Sequence, residues 1–174
     1  MERDDLLWFT PVDHPDPRVQ RVGFDLDDPY VEQCWSAVIG PSSVLLLRRL
    51  PVLWVAEVPA RIAASELSQS IGLGAGVGER SRLANTLDRV VRFGLARPAT
   101  DSTGLDVYRQ VPPLSPRQVQ RSSTWTRTTH ERLFAAHLQD LAGRGDLAGT
   151  VASLRARMDR LENTRARSLG TLGR

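Results

Sequence analysis

The sequence predicts a mostly α-helical protein with a small β-hairpin, and three observations carry that expectation. Two segments separated by glycine, Ile62–Ile71 and Ser81–Phe93, place apolar residues at helical spacing. Two short apolar runs, Leu95–Ala99 and Leu105–Val111, follow at once and flank the turn residues Thr100-Asp-Ser-Thr-Gly104. Proline stands at helix-opening positions in Asp28-Pro29, Gly40-Pro41 and Ser115-Pro116. At 174 residues and 41% hydrophobic, the chain can bury one core of about a hundred residues and still carry extensions at both ends.

Composition removes several classes of function. The single Cys34 excludes an internal disulfide and, with three scattered histidines, the usual Cys/His zinc sites, so a buried thiol in a reduced cytosol is expected. The longest apolar run, Val52–Ala56, is far short of the roughly twenty residues of a membrane span. The start, Met1-Glu-Arg-Asp-Asp, is acidic where a signal peptide is basic, and a bacterial cytosol is the expected location. All 23 cationic residues are arginine, the mark of GC-rich coding, so arginine content alone says little about nucleic acid. Its distribution says more: residues 1–35 hold nine acids and three arginines (−6), and the remainder eleven acids and twenty arginines (+9).

Taken in order, residues 1–27 hold Pro11, Pro15 and Pro17 without any period and read as an acidic, extended or unordered arm. Asp28 and Pro29 then cap a helix whose Tyr30, Val31, Cys34, Trp35 and Val38 share a stripe, and Gly40 ends it. Pro41 opens a second helix, Val44–Leu50, apolar nearly all round and therefore central; Pro51 is expected to bend or end it. Val52–Val58 suits a strand or a continued helix equally. In Ile62–Gly72, Leu67 and Ile71 share a face, Ser68 is small enough for a close crossing, and Gly72 suits a left-handed turn.

Glu79–Arg92 reads as the next helix. Leu83, Leu87, Val90 and Val91 form its back, and Ser81, Arg82, Asn85, Asp88, Arg89 and Arg92 its front. The hairpin follows. Ser115, Pro116 and Gln118 form a capping box and start a short helix, and Ser123–Leu141 a longer one with Phe134, His137, Leu138 and Leu141 on one stripe. Beyond Gly143, Gly145 and Gly149, the spacing of Leu154, Met158 and Leu161 makes a short seam suited to a partner helix.

The order helix, helix, helix, turn, helix, hairpin resembles the winged helix-turn-helix family, on Glu66-Leu67-Ser68…Ile71-Gly72-Leu73 and Leu83…Leu87…Val90…Phe93-Gly94-Leu95. The resemblance covers residues 41–111, with a Gly74–Gly78 loop longer than the usual turn and no clear strand between Pro51 and Ile62. The segment Pro112–Val119 after such a domain is similar to small regulators of GC-rich bacteria. The expected organisation is an arm over 1–27, a winged helix-turn-helix over 28–111, a helical extension over 112–142, and a basic tail over 143–174. The resemblance implies a double-stranded DNA-binding transcriptional regulator, self-associating as a homodimer through its C-terminal helices.

An Arg fork pairs with guanine and an Asn amide with adenine, so Arg82, Asn85 and Arg89 are the candidate base readers. Arg80, Ser81 and Arg92 suit phosphates, and Arg97 and Arg109 on the hairpin suit the DNA backbone. Two other readings share the fold: a plasmid or phage replication, partition or transfer protein, and a protein-interaction module. Gly72–Gly78 is glycine-rich, but Glu79-Arg80 stands where a phosphate loop needs Lys-Ser/Thr. His130 and His137 are seven apart rather than four, and no nucleophile, base and orienter assemble, so neither metal, cofactor, small-molecule ligand nor catalysis is expected.

Overall fold

The computed structural model describes residues 6–100 and 103–145. The chain divides into one unit through Phe134 and a second from Ala135, the boundary falling within the last described helix. The first unit is mostly α-helical with a small mixed sheet. Among the described residues, no helix is long and apolar enough to cross a membrane.

The chain opens with strand β1 (Leu6–Val12), helix α1 (Pro17–Val22) and strand β2 (Phe24–Asp25). The expectation of an unordered arm over 1–27 is therefore corrected for residues 6–27. Leu7, Phe9, Val19, Phe24 and Leu26 are buried, and β1 lies inside a four-stranded sheet of order β3-β1-β5-β4. Asp16 caps α1 by accepting the Arg18 N–H, and Pro17 fills the first helical position. Two side chains of the next long helix clamp the segment: Trp54 Nε1 donates to the Phe9 carbonyl at 2.9 Å, and Arg48 Nη1 donates to the carbonyls of Asp27 and Asp28.

A π-helical turn, Val31–Trp35, leads into α2 (Ser36–Ile39), and the Asp28 carboxylate accepts the Tyr30 N–H at 2.7 Å. Gly40, at φ 81°, ends α2 and turns the chain directly into α3 (Pro41–Ala56). Pro51 lies inside α3 and does not end it. A proline removes one helical hydrogen bond, but Leu53 and Trp54 beyond it pack against the core, which holds the last turn in register.

Strand β3 (Ala60–Ala63), which the sequence pattern did not disclose, precedes α4 (Ala64–Ser70) and α5 (Arg82–Arg92). The hairpin is β4 (Ala96–Pro98) against β5 (Gly104–Tyr108), with Ala96 opposite Val107. The second hairpin strand stops at Tyr108 rather than Val111: the Arg109 N–H turns to the Val12 carbonyl, and β6 (Gln110–Val111) pairs with β2. The sheet is thus larger than the expected hairpin, because β1 pairs antiparallel with β3 and parallel with β5. One apolar cluster joins sheet and helices through Phe9, Ile39, Leu47, Leu67, Val90 and Val107. Each fully buried side chain of this size contributes about 1.5–3 kcal/mol.

The capping box at Ser115 and Gln118 forms as expected and starts α6 (Pro116–Arg121). Helix α7 (Thr124–Gly143) follows; its first part belongs to the first unit, and the described part of the second unit is the remainder of that helix and the turn at Arg144–Gly145. The Leu154, Met158 and Leu161 seam lies outside the described residues.

His130 on α7 faces Tyr30, whose ring stacks on Phe24 at 3.8 Å. The Tyr30 hydroxyl accepts the Leu114 N–H at 2.9 Å and shares a hydrogen bond with His130 Nδ1, 2.6 Å away. Burial holds the His130 imidazole below its ordinary value of 6.5 against an opposing pull from Glu131. A histidine that binds its proton more weakly folded than unfolded stabilises fully above pH 6.5 and loses that contribution as pH falls. Urea unfolding from pH 7.5 to 5 is expected to show stability falling with pH, with the slope reduced in His130→Gln; an equal slope in both proteins contradicts the assignment.

Gly104 has no room for a side chain, since a Cβ there would stand 1.9 Å from the Trp8 carbonyl oxygen of β1. Gly104→Ala is expected to destabilise by about 3 kcal/mol, the upper end of ordinary overpacking costs. A denaturation midpoint matching the parent would show that β1 does not press on β5 at this point.

Candidate nucleic-acid interface

Helix α5 is defined by its ends. The Ser81 side chain accepts the Ala84 N–H at 3.1 Å, making Ser81 the N-cap; Glu79 and Arg80 thus precede the helix that the sequence pattern started at Glu79. At the other end the Gly94 N–H bonds the Val91 carbonyl and the Leu95 N–H the Val90 carbonyl, with Gly94 at φ 70°. That is a Schellman stop, and its hydrophobic contact is available because Val90 and Leu95 are both fully buried. Helix α4 ends in the same way: the Gly72 N–H bonds Gln69 and the Leu73 N–H bonds Ser68, with Gly72 at φ 77°.

Between the two helices, Ser68 does more than leave space. It is fully buried, and its hydroxyl donates to the Gly74 carbonyl at 2.6 Å, fastening the glycine-rich connection to α4. Leu83 and Val90 are buried and Leu87 and Val91 partly so, while Arg82, Asn85, Asp88, Arg89 and Arg92 are exposed. The division into an apolar back and a polar front agrees with the sequence pattern.

The front is not uniform. At 100° per residue Arg82 and Arg89 lie within about 20° of each other in azimuth, Asn85 and Arg92 form a second such pair beside them, and Asp88 falls on the far flank. There Arg92 is tied to Asp88 by a short ion pair. Arg82, Asn85 and Arg89 line one open cleft of about 200 Å³ together with Ser42, Leu73 and Thr86. Arg89 Nη1 reaches back to donate to the Ile39 carbonyl at 3.3 Å, next to the start of α3. Thr86 Oγ1 donates to the Arg82 carbonyl at 2.8 Å and lies 3.3 Å from Ser42 Oγ.

Arg80 is exposed ahead of the N-cap. The hairpin arginines are engaged: Arg97 Nε pairs with Asp106 across β4 and β5 at 2.9 Å, and Arg109 Nε lies 3.7 Å from Asp13. The geometry therefore gathers Arg82, Asn85 and Arg89, and sets Arg92, Arg97 and Arg109 apart, each beside an aspartate. Ser42 and Thr86 were not identified from the sequence. Thr86 was detectable as the i+4 neighbour of Arg82, whereas Ser42 reaches the cleft only through the packing of α3. Among the described residues no group of acids, histidines and Cys34 is arranged to hold a metal. Cys34 is buried, and loss of solvation raises its thiol to about 11, which makes it unreactive near neutral pH.

Compared with models of known protein families, with curated proteins and with solved structures, the chain matches none.

Ser68→Ala is expected to lower stability by about 1 kcal/mol, the usual contribution of one hydrogen bond, and to speed amide exchange in the connection it fastens. Unchanged exchange at Leu73 and beyond would assign the fastening to the backbone bonds alone.

Proposed function

We propose that residues 28–111 form a winged helix-turn-helix that binds double-stranded DNA, with α4 and α5 as its helix pair and the β4–β5 hairpin as its wing. One observation carries this reading. Helix α5 has both ends capped and its back in the core, and it presents Arg82, Asn85 and Arg89 together to solvent. An α-helix fits the major groove, and side chains fixed to a rigid helix meet base edges with little loss of conformational entropy. Asn85, centred on the front, suits the N6 and N7 atoms of adenine. Arg80 and the Ser81 hydroxyl stand where a phosphate would approach the N-terminus of α5. The proposal extends to a transcriptional regulator acting as a homodimer, the dimer resting on the sequence seam beyond Gly143.

The test is selection of bound duplexes from a random library with the full chain. The parent is expected to enrich one site and to lose affinity steeply between 50 and 200 mM salt, as several Arg–phosphate contacts require. Asn85→Ala is expected to relax the preference at one base pair, at about 1–3 kcal/mol per contact, with melting behaviour unchanged. A parent with no salt-dependent duplex binding removes the reading and leaves a protein-interaction module in its place.

A further inference from the structure

The cleft between the start of α3 and α5 differs from the rest of the proposed DNA surface. Its lining contains two arginines, an amide and two hydroxyls, and no carboxylate. Whereas Arg92, Arg97 and Arg109 each stand beside an aspartate, Arg82 and Arg89 pair with no carboxylate among the described residues.

The wall opposite α5 is the first turn of a 16-residue helix. Gly40 offers it no side-chain cap, Pro41 brings no N–H, and its first turn holds no acid. The N–H groups of that turn and the positive end of the helix dipole are thus left for an outside acceptor. The same turn contains the one buried side-chain polar atom that lacks a hydrogen-bond partner among the described residues, Ser43 Oγ. Arg89 is held at this wall by the Ile39 carbonyl. That contact uses one N–H of the five on a guanidinium, so the others are available to a ligand.

We propose that the cleft is a phosphate site, with Arg89 and Arg82 as its cationic ligands and Ser42 and the start of α3 as its neutral donors. Two cations, hydroxyls and helix N–H groups without an acid nearby suit a tetrahedral oxyanion better than a neutral base edge. On the reading of α5 as a DNA-facing helix, on which this assignment rests, the phosphate belongs to the duplex backbone. Arg89 then fixes the register of the helix, and Asn85 reads the sequence. A free phosphate ester presents the same chemistry to the same donors.

Two measurements on the full chain separate the outcomes. In NMR titration with inorganic phosphate, against chloride at equal ionic strength, the Ser42 and Ser43 amides and the Arg89 Nε resonance are expected to shift and saturate. The amide shifts should be lost in Arg89→Gln and weakened in Arg82→Gln, both variants melting like the parent; absence of a saturable shift in the parent overturns the site. In duplex binding, Arg89→Gln is expected to weaken all sequences alike, lower the salt slope by about 1, and leave the selected site unchanged. Replacing single backbone phosphates by uncharged methylphosphonate should identify one position that matters to the parent and not to Arg89→Gln. If Arg89→Gln instead alters the selected sequence with the slope intact, Arg89 reads a base: the phosphate site is overturned and the DNA reading stands. If the parent binds phosphate saturably but no duplex, the site stands with a free phosphate as its ligand and the DNA reading fails.

Discussion

Backbone N–H and C=O groups inside a sheet need partners, and in this molecule the inner ladders are supplied by β1. Strand β3 touches β1 on one side, and β5 touches it on the other. Without β1, the four residues of β3 and the inner edge of β5 would both be left unpaired. Two parts of the proposed binding surface, the helix pair and the hairpin, are joined to those two strands, since β3 runs directly into α4 while β5 holds β4, which follows α5. The hairpin that follows α5 is thus steadied by an N-terminal strand that lines no part of the cleft and reaches the hairpin turn through the Trp8 N–H, which donates to the Thr103 carbonyl at 2.9 Å. Gly104 lets that strand lie close, and Trp54 bonds to the Phe9 carbonyl from the helix above.

On this frame, α5 is fixed by short-range devices. Ser81 begins it, the Gly94 turn ends it, and Val90 and Leu95 bury the contact that accompanies the stop. The connection from α4 is fastened by the Ser68 hydroxyl and the Gly72 turn. A glycine-rich loop loses much conformational entropy on ordering, and three hydrogen bonds near its start offset that cost as far as Gly74. The exposed front of α5 consequently belongs to a helix whose placement is settled before any ligand arrives. Side chains held in this way meet a surface with a fixed pattern rather than a flexible one.

Several of these devices were legible in the sequence because each is decided within a few residues. Asp28 before Tyr30, Gly40, Gly72, Gly94 and the Ser115–Gln118 box all form as their local patterns require, whereas the sequence pattern passes over the Ser81 cap for a start at Glu79 and shows Ser68 only as a small residue. What escaped was decided at long range. Leu6–Val12 carries Pro11 and follows a run of acids, so it reads as an arm, yet its parallel partner begins at Gly104. The proline is tolerated because β3 pairs β1 only as far as Phe9, leaving one side of β1 open at Pro11. At Pro51 the sequence leaves an end, a bend or a continued helix open, and the choice is again made by packing: Leu53 and Trp54 against the core outweigh the lost helical bond. The cleft was half legible. Helical periodicity places Arg82, Asn85 and Arg89 on one face, but only the docking of α3 brings Ser42 to them.

Tertiary pairing also resolves the ambiguity of an arginine-only chain, in which charge content reflects coding as much as function. An arginine beside an aspartate is largely neutralised at short range, and its pull on a polyanion falls accordingly. Arg97 with Asp106, Arg92 with Asp88 and Arg109 with Asp13 belong to this group. Arg82 and Arg89 share their cleft with hydroxyls and an amide, which carry no charge, and with an uncapped helix start, which adds to the positive potential. Between α5 and the hairpin, the arginines without a carboxylate partner thus lie at the junction of α3 and α5 and not on the hairpin. On the proposed reading, a polyanion approaching this face would meet Arg82 and Arg89 beside Asn85, so capture and reading would occur on one helix.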